Sequence, residues 1–212
     1  MTTNEYEVVL GRVLRASTRG FDFGAHSRNI LAGHDFGGFV KATISNETEI
    51  VAIGLIYKVE IKDDQLISEL VLGGELADAI LLDQRNNRLI PVEIKVLNVG
   101  YAYMDSDPLY CVHSVPPRPP MSLSDVSPCS EGEIYDFTRR LDFFRIVLQA
   151  AEVPSDDLIA AAIRCAGSIY KDTAAKSDFY VACGRRLARD LSNDMKRLSH
   201  ILSLINPYLE GV

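Results

Sequence analysis

One stretch restricts this chain more than any other. From Glu47 to Lys62 the sequence runs ETEIVAIGLIYKVEIK. Successive side chains of an extended backbone point to opposite faces. Val51, Ile53, Leu55, Tyr57, Val59 and Ile61 therefore form one row, and Ala52, Gly54, Ile56, Lys58 and Glu60 the other. The first row is apolar throughout, while the second is small at its centre and charged at its end. This predicts a long strand curling around a packed interior, with Gly54 where the strand must bend.

The flanking segments supply partners for that strand. Glu7 to Ser17 is rich in β-formers, with Val9 and Val13, and next to them Leu10 and Leu14, available to a core and Gly11 interrupting the run. Phe21 and Phe23 share a face of a short second strand ending at Gly24, and Phe39 to Ile44 provides a third after the Gly37-Gly38 pair. Ile67 to Leu76 fits neither helix nor strand cleanly, because Gly73-Gly74 stops both. Ala79 to Asp83 and Leu89 to Gly100 read as a hairpin joined by the polar turn QRNNR, with Val92, Ile94 and Val96 alternating against Glu93, Lys95 and Leu97. Tyr101 to Tyr110 is expected to be a loop. Pro116, Pro117, Pro119 and Pro120 then forbid helix and favour an extended connector.

Beyond the prolines the apolar period changes from two to about 3.6. Ile134, Phe137, Leu141, Phe144 and Leu148 share one helix face, with Ser130 and Glu133 placed as a capping box. Pro154 ends that helix, and Ser155-Asp156-Asp157 opens another with acids at its positive end. A last helix is predicted from near Ser177 to Ile205, with Leu187, Leu191, Met195, Leu198, Leu202 and Ile205 on one stripe. Two shorter helices would not cover so long a stripe, so copies of the chain are expected to associate; a simple three-helix bundle is the other reading. The expected fold class is thus α+β: a small closed β-barrel over residues 1–115, a proline-rich linker over 116–130 and an α-helical bundle over 131–212.

The 212 residues suffice for two such units. A net charge of -7 argues against general affinity for nucleic acid, which depends on Lys and Arg neutralising phosphates. Cys111, Cys129, Cys165 and Cys183 lie far apart with no zinc-ligand spacing, as expected of buried thiols in a reducing compartment. The polar start MTTNEYE lacks the pattern of a signal peptide, and Arg164 interrupts the longest apolar helical run. A cytoplasmic protein with no membrane span is expected.

The pieces LGRVLRAS, FDF, DFGGFVKATI and EIVAIGLIYKVEI together resemble the HAS barrel, the small barrel at the front of HerA-like DNA-pumping ATPases and of the ATP synthase α and β subunits. The matching features are Gly11-x-Val13, the aromatic second strand, Gly38 with Phe39-Val40, and Val51-Ala52-Ile53-Gly54. VPPRPPMSLSDV is similar to the exit by which that barrel joins its motor, and the likeness covers Glu7 to Val126. One departure is decisive for chemistry. No Gly-x-x-x-x-Gly-Lys-Ser/Thr occurs, and helices follow the linker where a nucleotide-binding unit should begin. The resemblance implies a free-standing, non-catalytic adaptor or oligomerisation module, beside a DNA-translocating ATPase.

The enzymatic alternative is Asp83 with Glu93-Ile94-Lys95, joined by Asp78, which looks like the acid and Glu-x-Lys of restriction-type nucleases. There two carboxylates hold Mg²⁺ and the lysine positions the attacking water. Alternating charges on the outside of a barrel strand explain Glu93 and Lys95 as well. No other cofactor is expected. His26, His34, His113 and His200 are dispersed, with His26 and His34 flanking one loop, and neither Ser17 nor Ser27 has the Gly-x-Ser-x-Gly context of a nucleophile. On the last helix Arg185, Arg186, Arg189, Lys196 and Arg197 against Asp190 and Asp194 offer either a phosphate-tracking surface or a solvated face of mixed charge.

Overall fold

The computed structural model describes residues 8–26, 32–45, 47, 49–61, 91–106 and 108–205. The strands are β1 (Gly11–Ala16), β2 (Gly20–His26), β3 (Phe39–Ser45), β4 (Ile50–Ile61), β5 (Pro91–Tyr103), β6 (Tyr110–Val112) and β7 (Asp125–Pro128). They pair antiparallel in the order β2-β1-β7-β3-β4-β5, and β2 returns to pair with β5. Six strands therefore form a closed barrel, and β6 extends the sheet from the far end of β5. Closure leaves those six strands without a free edge.

Two tactics let one sequence close so small a cylinder. Small residues sit where strands approach: a Cβ on Gly54 would lie 2.3 Å from Val96 Cγ1 and 2.9 Å from the Leu97 carbonyl oxygen. Bulges supply curvature. The β4–β5 register slips between Ile53 and Gly54, leaving Val99 as the extra residue, and again between Ile56 and Lys58, leaving Tyr57. The second slip divides the apolar row expected along this strand. Ile53 and Leu55 belong to the core shared with the helices, with Val51 and Tyr57 packed against it, whereas Val59, opposite Ile94, and Ile61 are exposed. Ile56 joins Val40, Ala42, Val92, Ile94 and Val96 inside the barrel with Phe21, Phe23 and Val126.

β7 lies in the stretch read as linker. Hydrogen bonds from Leu10 N to Val126 O (2.8 Å) and from Cys129 N to Phe39 O (2.9 Å) tie it between β1 and β3. The 101–110 stretch, expected to be a loop, is partly sheet, because Tyr101, Ala102 and Tyr103 of β5 pair with Val112, Cys111 and Tyr110 of β6.

Five α-helices follow among the described residues: α1 (Glu131–Thr138), α2 (Phe144–Leu148), α3 (Ser155–Ser168), α4 (Thr173–Asp190) and α5 (Met195–Ile205). The capping box at α1 is formed: Ser130 Oγ accepts from Glu133 N and Glu133 Oε2 accepts from Ser130 N. The single helix expected over 134–148 is broken after Thr138, whose hydroxyl donates back to the Ile134 carbonyl oxygen at 2.7 Å. The turn brings Phe143 to Phe137 (centroids 5.3 Å apart) and to Phe39 of the barrel (6.1 Å). The last helix is likewise two helices. Asp194 Oδ1 accepts from Arg197 N at 3.0 Å and so caps α5, as short polar side chains do at helix starts. Of the expected stripe, Leu187, Leu191 and Leu198 are buried in the shared core and Ile205 packs against it, whereas Met195 (65%) and Leu202 (42%) remain exposed.

Barrel and helices are joined by that core and, among the described residues, by an ion pair. Lys41 Nζ on β3 donates to Glu133 Oε1 at 2.6 Å, with both side chains largely withdrawn from solvent. No helix among the described residues is long and apolar enough to cross a membrane.

Candidate functional site

The Glu-x-Lys of the nuclease reading lies on the outside of β5. Asp22 stands opposite Lys95, Lys58 opposite Lys95 and Glu60 opposite Glu93. Like charges set directly across strands repel, so each needs an opposite neighbour. Arg15 supplies one: its guanidinium donates to the Glu93 carboxylate and lies 3.2 Å from Asp22 Oδ2. Lys58 Nζ lies 3.1 Å from Glu60 Oε2. The result is a charge ladder across β1, β2, β5 and β4. A divalent ion at Glu93 would have to displace Arg15 from its carboxylate. Asp83 and Asp78 lie outside the described residues, as does Ser27. No group of three or more metal-ligating side chains occurs among the described residues.

His34 is enclosed by the fold and His113 is partly buried. His34 is 2% exposed, packs 6.2 Å from Phe23 and shares a hydrogen bond with the Leu10 carbonyl oxygen (3.0 Å). His113 donates from Nε2 to the Phe137 carbonyl oxygen (3.0 Å), with its ring 4.4 Å from Phe137. Nδ1 is buried without a partner. Burial is the main cause that holds this imidazole down to about 4, opposed by the Phe137 carbonyl and by Asp142. It is neutral at pH 7. The four cysteines are free thiols, and burial pushes each up, Cys111 to about 11 and Cys183 to about 12. They hold almost no thiolate at neutral pH and are poor nucleophiles.

Of the cations proposed as a phosphate track, two are committed to ion pairs with acids of the same chain. Arg186 bonds Asp190 (2.8 Å) and Asp142 (2.7 Å). Arg197 Nε donates to Asp156 Oδ1 (2.7 Å), and its Nη2 reaches Ser155 Oγ (2.8 Å) and the Leu148 carbonyl oxygen (3.3 Å). Arg185, Arg189 and Lys196 are exposed.

A different set of arginines lines the open surface between the barrel and α2. One cavity of about 360 Å³ is bordered by Arg19 of the β1–β2 turn, Asn98 of β5 and Arg145 of α2. A second, of about 440 Å³, shares Arg145 and adds Arg140 and Arg186 around Asp142. A third, of about 340 Å³, shares Arg19 and adds Arg15 and Tyr57 beside Asp22 and Glu152. The three run together as an arc carrying five arginines. Sequence reasoning passed over Arg19, Asn98 and Arg145. Asn98, a single carboxamide amid Val96, Leu97 and Val99, was the available signal. No protein-family model matches the chain, and a search of curated proteins finds no match.

Proposed function

We propose that the chain is a barrel of the HAS type that works without a motor, as a partner-docking or oligomerisation module accessory to a HerA-like DNA-translocating ATPase. The observation that carries this reading is a closed six-stranded barrel followed by helices that share its core, where a motor would begin with a phosphate-cradling loop. Docking needs no chemistry of its own. It needs a rigid platform that holds side chains in place, which barrel closure supplies. The cysteine thiols and His113 are held in their neutral forms, as in a structural interior.

The second reading, a Mg²⁺-dependent nuclease built on Asp83, Glu93 and Lys95, draws on Glu93 and Lys95 standing two residues apart on one strand. Two measurements separate the readings. Light scattering of the purified chain, together with quantitative cross-linking in its native cells, should find a defined assembly, either of the chain with itself or with one reproducible partner. A chain that is monomeric, enriches no partner and cleaves DNA with Mg²⁺, with cleavage lost in Glu93→Ala, overturns the docking reading.

A further inference from the structure

We infer that the cavity between the β1–β2 turn and α2 binds an acidic peptide segment, whose carboxylates meet Arg19 and Arg145 and whose N–H group meets Asn98. The inference rests on the docking reading and names the chemistry of the partner at that site.

Two observations meet in this cavity. Arg19 and Arg145 are exposed and make no ion pair among the described residues, unlike Arg15, Arg140, Arg186 and Arg197. Asn98 is 1% exposed. Its Nδ2 donates to the carbonyl oxygens of Thr18 (3.1 Å) and Ser17 (3.4 Å), and its backbone N–H donates to that of Arg19 (2.9 Å). These bonds fix which end of the carboxamide is nitrogen and leave Oδ1 buried with no donor. A buried acceptor in that condition is costly, so a ligand N–H that satisfies it is rewarded. Guanidinium groups take carboxylates through paired N–H donors.

The surroundings favour a peptide over a nucleic acid strand. Asp142 stands in the cavity on one side, and Asp22 and Glu152 in the cavity on the other. A nucleic acid strand following the arc would carry phosphates past these acids at both ends and has no backbone N–H to offer Asn98 Oδ1. A short peptide can end between them and offers an N–H at nearly every residue.

The test is fluorescence anisotropy with a fluorescein-labelled hexaglutamate peptide and, in parallel, a labelled oligothymidylate, on the full chain. The expected result is saturable hexaglutamate binding that weakens about tenfold or more in Arg19→Ala/Arg145→Ala. Arg19→Lys/Arg145→Lys should fall between, because an ammonium lacks the fork. Arg189→Ala, which lines none of the three cavities, should bind as wild type does. Thermal melts confirm that each variant is folded. Equal binding by wild type and the double alanine variant overturns the inference, as does oligothymidylate binding that depends on Arg19 and Arg145 while hexaglutamate does not bind. If hexaglutamate fails while the cross-linked assembly persists in the double variant, this site is wrong and the docking reading survives.

Discussion

Arg15 and Arg19 stand four residues apart at one end of the barrel, in contrasting surroundings. Arg15 sits in a ladder where Asp22 and Glu93 both answer its charge. Arg19 lines an open cavity with Arg145, and neither makes an ion pair among the described residues. The same contrast separates Lys41, paired with Glu133 between barrel and helices, from the unpaired arginines. Charges answered within the fold hold its parts in register. Charges left unanswered at an open face are available to something else. The difference turns a list of ionisable residues into two groups with separable readouts, stability for one and binding for the other.

The largest effect should come from the best-enclosed pair. Lys41→Met leaves the Glu133 carboxylate in a mostly buried site without its ammonium, and should cost about 3 kcal/mol in urea unfolding. A change within 0.5 kcal/mol would move this pair into the group of idle charges. Arg15→Ala removes one partner of Glu93, whose side chain is 11% exposed, and should cost about 1.5 kcal/mol while hexaglutamate binding stays intact. Loss of binding with no loss of stability would reverse its assignment.

Acid should sharpen the comparison through His113. Its folded-state value is lowered from the ordinary 6.5 to about 4, so the neutral ring's contribution is complete above pH 6.5 and declines as pH falls from there towards about 4. Denaturation at pH 7 and pH 5 should show a loss for wild type that is smaller in His113→Gln. Equal losses would mean that acid acts elsewhere. The smallest effect on stability belongs to Arg19→Ala/Arg145→Ala, within about 0.5 kcal/mol of wild type, as for surface residues without partners. A larger loss would show that these arginines also serve the fold.

Much of the barrel could be read from alternation. Val92, Ile94 and Val96 face inward as their spacing predicts, and Ser130 with Glu133 forms the expected capping box. What escaped notice has physical reasons. A bulge inserts a residue without any composition signal, so the slips at Val99 of β5 and at Tyr57, the latter dividing the apolar row of β4, left no trace in the period. β7 is four residues long, ends in a proline and follows four others, so its pairing rests on neighbours distant in sequence. Asp194 lies inside an unbroken heptad-like stripe, and only its bond to the Arg197 backbone marks it as a cap. Arg145 sits within the apolar run FFRIVL, where its position beside Asn98 comes from packing alone.

Thermal unfolding of wild type and Glu93→Gln, each with and without millimolar Mg²⁺, asks most directly whether the ladder serves the fold. If the Glu93 carboxylate is held for Arg15, the variant melts a few degrees lower and Mg²⁺ leaves both midpoints unchanged. A midpoint that Mg²⁺ raises in wild type but not in Glu93→Gln would contradict this, because it would mean that the carboxylate is kept for a metal ion.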